Sequence, residues 1–184
     1  IENFKIINKN LKNYLNKNDQ FSNYAWNVLS DVLYYVLSIA DEISEDIISI
    51  DEAMKHGFGW KLGPFEIIDK IGSSFLKEKL LSSKKNIPLL LEVIGNNKFY
   101  KIEDNEIKYF DLIKNDYNIL KRTEGVIFLS DIKKINKPIK QINSASLWDI
   151  GDQITVFEIH SKSNTFDIAT MEFLNQSIDI VSSS

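Results

Sequence analysis

Across residues 21–43 apolar side chains return at helical spacing: Ala25, Val28, Leu29, Val32, Val36, Ile39 and Ala40 form one broad face. Tyr34, Tyr35 and Leu37 widen that face, which predicts a long helix buried on more than one side. The remaining elements have to assemble around this rod. The expected fold class is therefore mainly α, with small β-hairpins.

A chain of 184 residues suffices for one full domain and part of another. Its 43% hydrophobic and 26% charged residues are ordinary for a globular protein and far from a disordered one. A net charge of −4 argues against nucleic acid as a main partner, because phosphate binding needs a concentrated basic surface. No apolar run approaches the ~20 residues that span a bilayer. The absence of cysteine removes disulfides, thiolate zinc sites and cysteine nucleophiles, and fits a reducing cytoplasm. Two histidines leave little room for a histidine-rich metal site. The opening IENFKIINKN has no initiator Met and no signal-peptide pattern, and reads as a cut from a longer chain.

A second helix is expected from Ser44 or Ser49, where Ser49-Ile-Asp-Glu52 fits a capping box. Gly57 can end it in a left-handed conformation. Gly63-Pro64 then restarts the chain: proline at the first helical position loses no hydrogen bond, and Glu66 stands in the first turn, where the dipole favours an anion. Gly72 is the next stop, followed by short helices near 74–82 and 87–94. In residues 99–110, a two-residue Asp104-Asn105 turn sets Ile102 opposite Ile107 and Tyr100 opposite Tyr109. A helix across 127–135 precedes Pro138, and KPIKQINSAS has the polarity of a linker.

From Gln141 onward there are six acidic residues and one lysine. SLWDIGDQITVFEIHS reads as two strands around a glycine-led Gly151-Asp152 turn. Asn164 or Thr165 can cap a final helix with Ile168, Met171, Leu174, Ile178 and Val181 on one face. So short a tail cannot enclose a substantial core. It either packs on the helical domain or begins a second domain; the expected division is 1–140 and 141–184.

IDEAMKHGFGWKLGPFEIIDKIG, residues 50–72, closely resembles the C-terminal domain of L-3-hydroxyacyl-CoA dehydrogenases, whose pattern falls here on Ile50, Asp51, Ala53, Met54, Gly57, Gly59, Gly63, Pro64, Phe65, Asp69 and Gly72. The tail resembles the opening hairpin and first helix of the crotonase (enoyl-CoA hydratase) fold, with Lys162 and Asn164-Thr165 beside its CoA-binding region. This order is similar to that of one class of bacterial multifunctional fatty-acid oxidation proteins. The resemblance implies NAD and acyl-CoA in the parent enzyme and other domains of the same polypeptide as partners. It also implies that this copy of the domain is the second of two, chiefly architectural.

No catalytic, cofactor or metal residue is assigned within the chain itself. Hydride transfer needs a dinucleotide fold, a general base and a carboxylate orienting that base. The Gly57-Phe-Gly59 stretch lies between helices and is no phosphate-binding fingerprint. His56 at a helix end and His160 at a strand end read as structural, and the family's catalytic histidine lies in the NAD domain. Asp41, Glu42, Glu45 and Asp46 read as a solvated helix end rather than a cation site. Asn27 lies near the place of a substrate-contacting asparagine in the family; a core or capping role is the first reading and substrate contact the second. Lys162 and Asn164 are the CoA candidates. The rival reading is a self-contained helical interaction or dimerisation domain without CoA chemistry. A severed tail would also leave apolar surface on which the chain could form a non-native oligomer.

Overall fold

A computed structural model describes residues 10–183; the opening segment 1–9, on which the reading of a cut chain rests, and Ser184 lie outside them. The chain forms two compact units, Ile1–Leu120 and Lys121–Ser184.

In the first unit the helices α1 (Leu11–Leu15), α2 (Gln20–Ile43), α3 (Ile47–Phe58), α4 (Pro64–Ile71), α5 (Ser73–Ser82) and α6 (Leu89–Ile94) precede a sheet. Its strands β1 (Tyr100–Glu103), β2 (Glu106–Asp111) and β3 (Asp116–Ile119) are antiparallel in chain order. Asp19 starts α2 by accepting from the N–H groups of Phe21 and Ser22, both at 3.0 Å. The buried face of α2 is Trp26, Leu33, Val36, Leu37 and Ala40, rotated from the expected face, and Val28 is exposed. α1, α4 and α6 pack on this helix and choose the side.

Two expected helix ends move. Asp46, not Ser49, caps α3: its carboxylate accepts from Ser49 N–H at 2.7 Å, and starting at Ile47 turns Ile47 and Ile50 inward together. Gly59 at φ +68°, not Gly57, ends the helix, and Trp60 N–H reaches back to the Met54 carbonyl. Pro64 opens α4 and Gly72 closes it, as expected. The hairpin register also holds, Tyr100 facing Tyr109 and Ile102 facing Ile107, with Asp104 and Asn105 both at positive φ as a type I′ turn requires. β3 was not expected. The Asp111 carboxylate makes it by accepting from the N–H groups of Ile113 and Lys114, which folds the chain back beside β2. Edge-on ring contacts from Phe65 to Phe99 (4.8 Å) and from Phe99 to Phe110 (6.2 Å) join α4 to the sheet.

The second unit holds α7 (Leu129–Ile135), β4 (Lys140–Gln141), β5 (Ala145–Asp149), β6 (Thr155–Ile159), a 3₁₀ turn Lys162–Asn164 and α8 (Ile168–Ser182). The stretch read as a linker thus carries β4, which pairs with β5. Strands β5 and β6 are joined by residues 150–154 rather than by a two-residue turn; Gly151, Asp152 and Gln153 all have positive φ. Asp167 caps α8 through Thr170 N–H at 2.7 Å; Asn164 and Thr165 do not. Asn164 is held at φ +52° in the preceding turn.

The inner face of α8 is rotated from the expected one. Thr170, Phe173 and Ser177 turn inward, while Ile168, Met171, Ile178 and Val181 are exposed. The ring of Phe173 packs on Phe157 of β6 (5.4 Å) over a core shared with Ala145 and Leu147. Thr170 is small enough for its hydroxyl to reach Ser144 Oγ at 2.8 Å. The architecture is accordingly helical with two small antiparallel sheets. Among the described residues no helix is long and apolar enough to cross a membrane.

Candidate functional site

The residues quoted for the family pattern converge in the first unit, where α3, α4 and β1 meet. Asp51 is buried on the inner side of α3 and accepts from three donors: Phe65 N–H (2.9 Å), Glu66 N–H (3.2 Å) and Tyr100 O–H (2.9 Å). Two of these are N–H groups in the first turn of α4, where no carbonyl of the same helix can accept them, so Asp51 caps a helix fourteen residues away in sequence. Gly63 packs so tightly on it that a Cβ there would lie closer than 3.0 Å to the Asp51 side chain. Glu66 reaches back to accept from Gly63 N–H at 2.9 Å. One turn on, Asp69 accepts from Phe99 N–H (2.6 Å) and Tyr100 N–H (2.7 Å), fixing the first strand to the same helix.

Burial governs the electrostatics. It pushes the Asp51 carboxyl up to about 7 against the pull of its three hydrogen bonds, and the Asp69 carboxyl up to about 6. Desolvation and the neighbouring Asp51 also raise Tyr100, which stays a phenol and therefore a donor. These carboxyl oxygens are turned to backbone N–H groups and a phenol. The chemistry the arrangement performs is to hold the α3–α4 turn and β1 in register.

A second polar cluster, in the other unit, was not found from the sequence. The hydroxyl of Ser146 is buried on β5; it accepts from Trp148 Nε1 (2.6 Å) and lies 2.8 Å from His160 Nε2 and 3.2 Å from Glu158 Oε2. Lys133 of α7 pairs with Glu158. Serine, histidine and glutamate in reach of one another suggest an activated nucleophile, but the geometry opposes it. Glu158 lies 3.7 Å from the same Nε2 that meets Ser146, whereas an orienting carboxylate engages the other ring nitrogen. The signal available in the sequence was strand alternation. Ser146 and Trp148 share a face of β5, and the register sets Ser146 directly across from Glu158.

The remaining candidates are dispersed. Asn27 is exposed in the middle of α2 and is neither a core nor a capping residue. Lys162 and Asn164 are exposed in the second unit, in the turn before α8. His56 is exposed in the last turn of α3, with Nε2 2.8 Å from Glu52 Oε2. Asp41, Glu42 and Glu45 are exposed at the end of α2, and Asp46 is spent on capping α3. Among the described residues no group of three His, Cys, Asp or Glu side chains converges to hold a metal ion.

The family described as 3-hydroxyacyl-CoA dehydrogenase, C-terminal domain, matches residues 27–86, the segment containing α3, α4, Asp51 and Gly63 but not Tyr100. A Bacillus subtilis (strain 168) protein named "Probable 3-hydroxyacyl-CoA dehydrogenase" is 33% identical over 172 residues, 92% of this chain and 22% of its own. A Rickettsia felis protein named "Putative fatty acid oxidation complex trifunctional enzyme" is 25% identical over 140 residues, 74% of this chain and 18% of its own. The chain thus spans about a fifth of the length of these curated relatives. No solved structure matches it with significance.

Proposed function

Because residues 27–86 belong to the C-terminal domain family of the 3-hydroxyacyl-CoA dehydrogenases, we propose that the chain is part of a fatty-acid oxidation enzyme in which its helical unit is a packing domain. The parent reaction would be oxidation of a 3-hydroxyacyl-CoA by NAD. NAD itself does not fit the described residues. Both sheets are antiparallel, whereas a dinucleotide site needs a parallel βαβ unit with a helix N-terminus at the pyrophosphate. The dinucleotide and the catalytic base are assigned to other parts of the longer enzyme.

One observation carries the packing role. The face of α2 turned away from its core bears Phe21, Tyr24, Val28 and Tyr35, each 50% to 77% exposed, at intervals that align them along the rod. Each large apolar side chain left in water forgoes ~1.5–3 kcal/mol, so a stripe of four marks a surface made to be covered. The occupant is another helical domain of the same polypeptide. Asn27, exposed next to this stripe, would meet substrate only at such an interdomain surface.

In the full polypeptide, Tyr24→Asp with Tyr35→Asp should lower dehydrogenase activity and open the protein to proteolysis. The same pair should leave the thermal unfolding of this chain unchanged, because both side chains are already exposed. Unaltered activity and protease resistance would remove the packing role. Self-association of the chain through the stripe, with no acyl-CoA oxidation by the full polypeptide, would instead favour a self-contained dimerisation domain.

The exposed row Ile168, Met171, Ile178 and Val181 supports a matching reading of the second unit. Beside its inward Phe173, α8 thus carries an apolar row in water, as a helix that receives a further layer does, and residues 141–184 are read as the opening of an enoyl-CoA hydratase domain. Lys162 and Asn164 would then stand at its CoA edge.

A further inference from the structure

The C-terminal end of α2, the helix α6 and the turn after β2 bound an apolar groove in the first unit. Two adjoining openings of about 270 and 350 Å³ share Asp41, Glu42 and Leu112. Leu37 lies buried at the base, and Leu89, Val93, Ile43 and Ile113 rise around it with 44% to 75% of their surfaces exposed. These side chains converge on one place, unlike isolated apolar residues on an ordinary surface.

The charged side chains that line the groove are acidic. Asp41, Glu42 and Glu45 stand on the rim, and among the described residues no lysine or arginine lines either opening; Lys114, in the turn between Ile113 and Asn115, lies 3.8 Å from Asp111. α2 ends here, at Ser44, with no basic residue in its last turn. The free carbonyls and the negative end of the helix dipole therefore add to the carboxylates, an arrangement that the helix by itself disfavours. Local disadvantage of this kind is resolved when a cation arrives from elsewhere. Apolar walls with a negative rim complement an amphipathic helix that presents leucine-like side chains at i, i+3 and i+4 and carries lysine or arginine on its flank. An acidic helix would meet like charge.

We propose that this groove docks a basic amphipathic helix contributed by another part of the longer polypeptide. The source rests on the function proposed above; relatives matched over only 22% and 18% of their length leave ample chain to supply it. The groove and its charge do not depend on that function.

The test titrates the isotope-labelled chain with a synthetic helix bearing leucines at i, i+3, i+4 and i+7 and flanking lysines, and with the same peptide carrying glutamate for lysine. The lysine peptide should shift the amides of Ser38, Asp41, Glu42, Val93 and Asn115. It should also bind about tenfold or more tighter than the glutamate peptide at low salt. Asp41→Lys with Glu42→Lys should abolish that preference. Leu89→Asp, at a side chain too exposed to matter for folding, should weaken both peptides. Equal affinity for the two peptides, or shifts confined to other surfaces, overturns the proposal. In the full polypeptide, carbodiimide coupling joins carboxylates to amines in contact with them. It should link Asp41, Glu42 or Glu45 to a lysine outside residues 1–184. The absence of such links, or links to other proteins alone, overturns the assigned source. Neither readout depends on hydride transfer, so a failure here is distinct from a failure of the proposed function.

Discussion

Adding a single methyl group at Gly63 should unfold the helical unit far more readily than its size suggests. The backbone there is unstrained, at φ −74°, so the effect is steric. A Cβ would fall closer than 3.0 Å to the Cβ, Cγ and Oδ1 atoms of Asp51, which are held by the two turns they join. Retreat of Asp51 breaks its bonds from Phe65 N–H, Glu66 N–H and Tyr100 O–H. Leaving the buried Phe65 N–H without an acceptor costs ~1–3 kcal/mol, and losing the phenol adds ~0.5–1.5 kcal/mol. Gly63→Ala should therefore destabilise by ~2–4 kcal/mol, a large share of the ~5–15 kcal/mol that holds a domain folded. Urea unfolding followed by far-ultraviolet circular dichroism measures it. Gly57→Ala is the control: the same methyl, inside α3 and with open space around it, should stabilise by ~0.5–1 kcal/mol. In an Asp51→Gly background the Gly63 substitution should cost little more, since the obstructing side chain is gone. In an Asp51→Ala background it should remain costly, since Cβ of residue 51 is itself in the way. A Gly63→Ala midpoint indistinguishable from that of the unaltered chain would refute the clamp.

The same clamp sets a pH dependence. Asp51 near 7 and Asp69 near 6 bind protons in the folded chain that the unfolded chain releases near 4, so stability should fall as pH rises from about 4 towards 7. The depressed carboxyls Asp19, Asp111 and Asp167 act in the opposite sense, but only at lower pH. The urea midpoint should be higher at pH 5.5 than at pH 8, and Asp51→Asn should flatten the difference; a midpoint that rises over this range would contradict the burial argument. Calorimetric titration of the chain with NAD should give no heat of micromolar binding, and a micromolar isotherm would reveal a dinucleotide site unlike the familiar fold. Amide exchange should be faster in β6 and α8 than in α2, because the second unit buries a core of few residues. Protection equal to that of α2 would mean that the second unit is complete without a further layer.

What the sequence determined by itself is whatever a few neighbouring residues decide. Asp104-Asn105 can take the positive φ values of a tight turn, and that turn alone sets the register of Tyr100 on Tyr109. Pro64 and Gly72 bound α4 for equally local reasons, and the long apolar repeat located α2 to within a residue at its start. Caps were less secure, because Ser49 and Asp46 compete over three residues, and burial of Ile47 and Ile50 favours the earlier start. The resemblance singled out Asp51, but not its partner Tyr100, forty-nine residues further on. The polar cluster at Ser146 needed the pairing of β5 with β6 to exist at all. Only tertiary structure decided which face of α2 and of α8 is the inner one. α2 is apolar on two sides, so its own periodicity is satisfied by either orientation, whereas α8 turns in Phe173 between Thr170 and Ser177, against its own apolar row. The choice falls to distant surfaces, those of α1, α4 and α6 for α2, and the ring of Phe157 for α8.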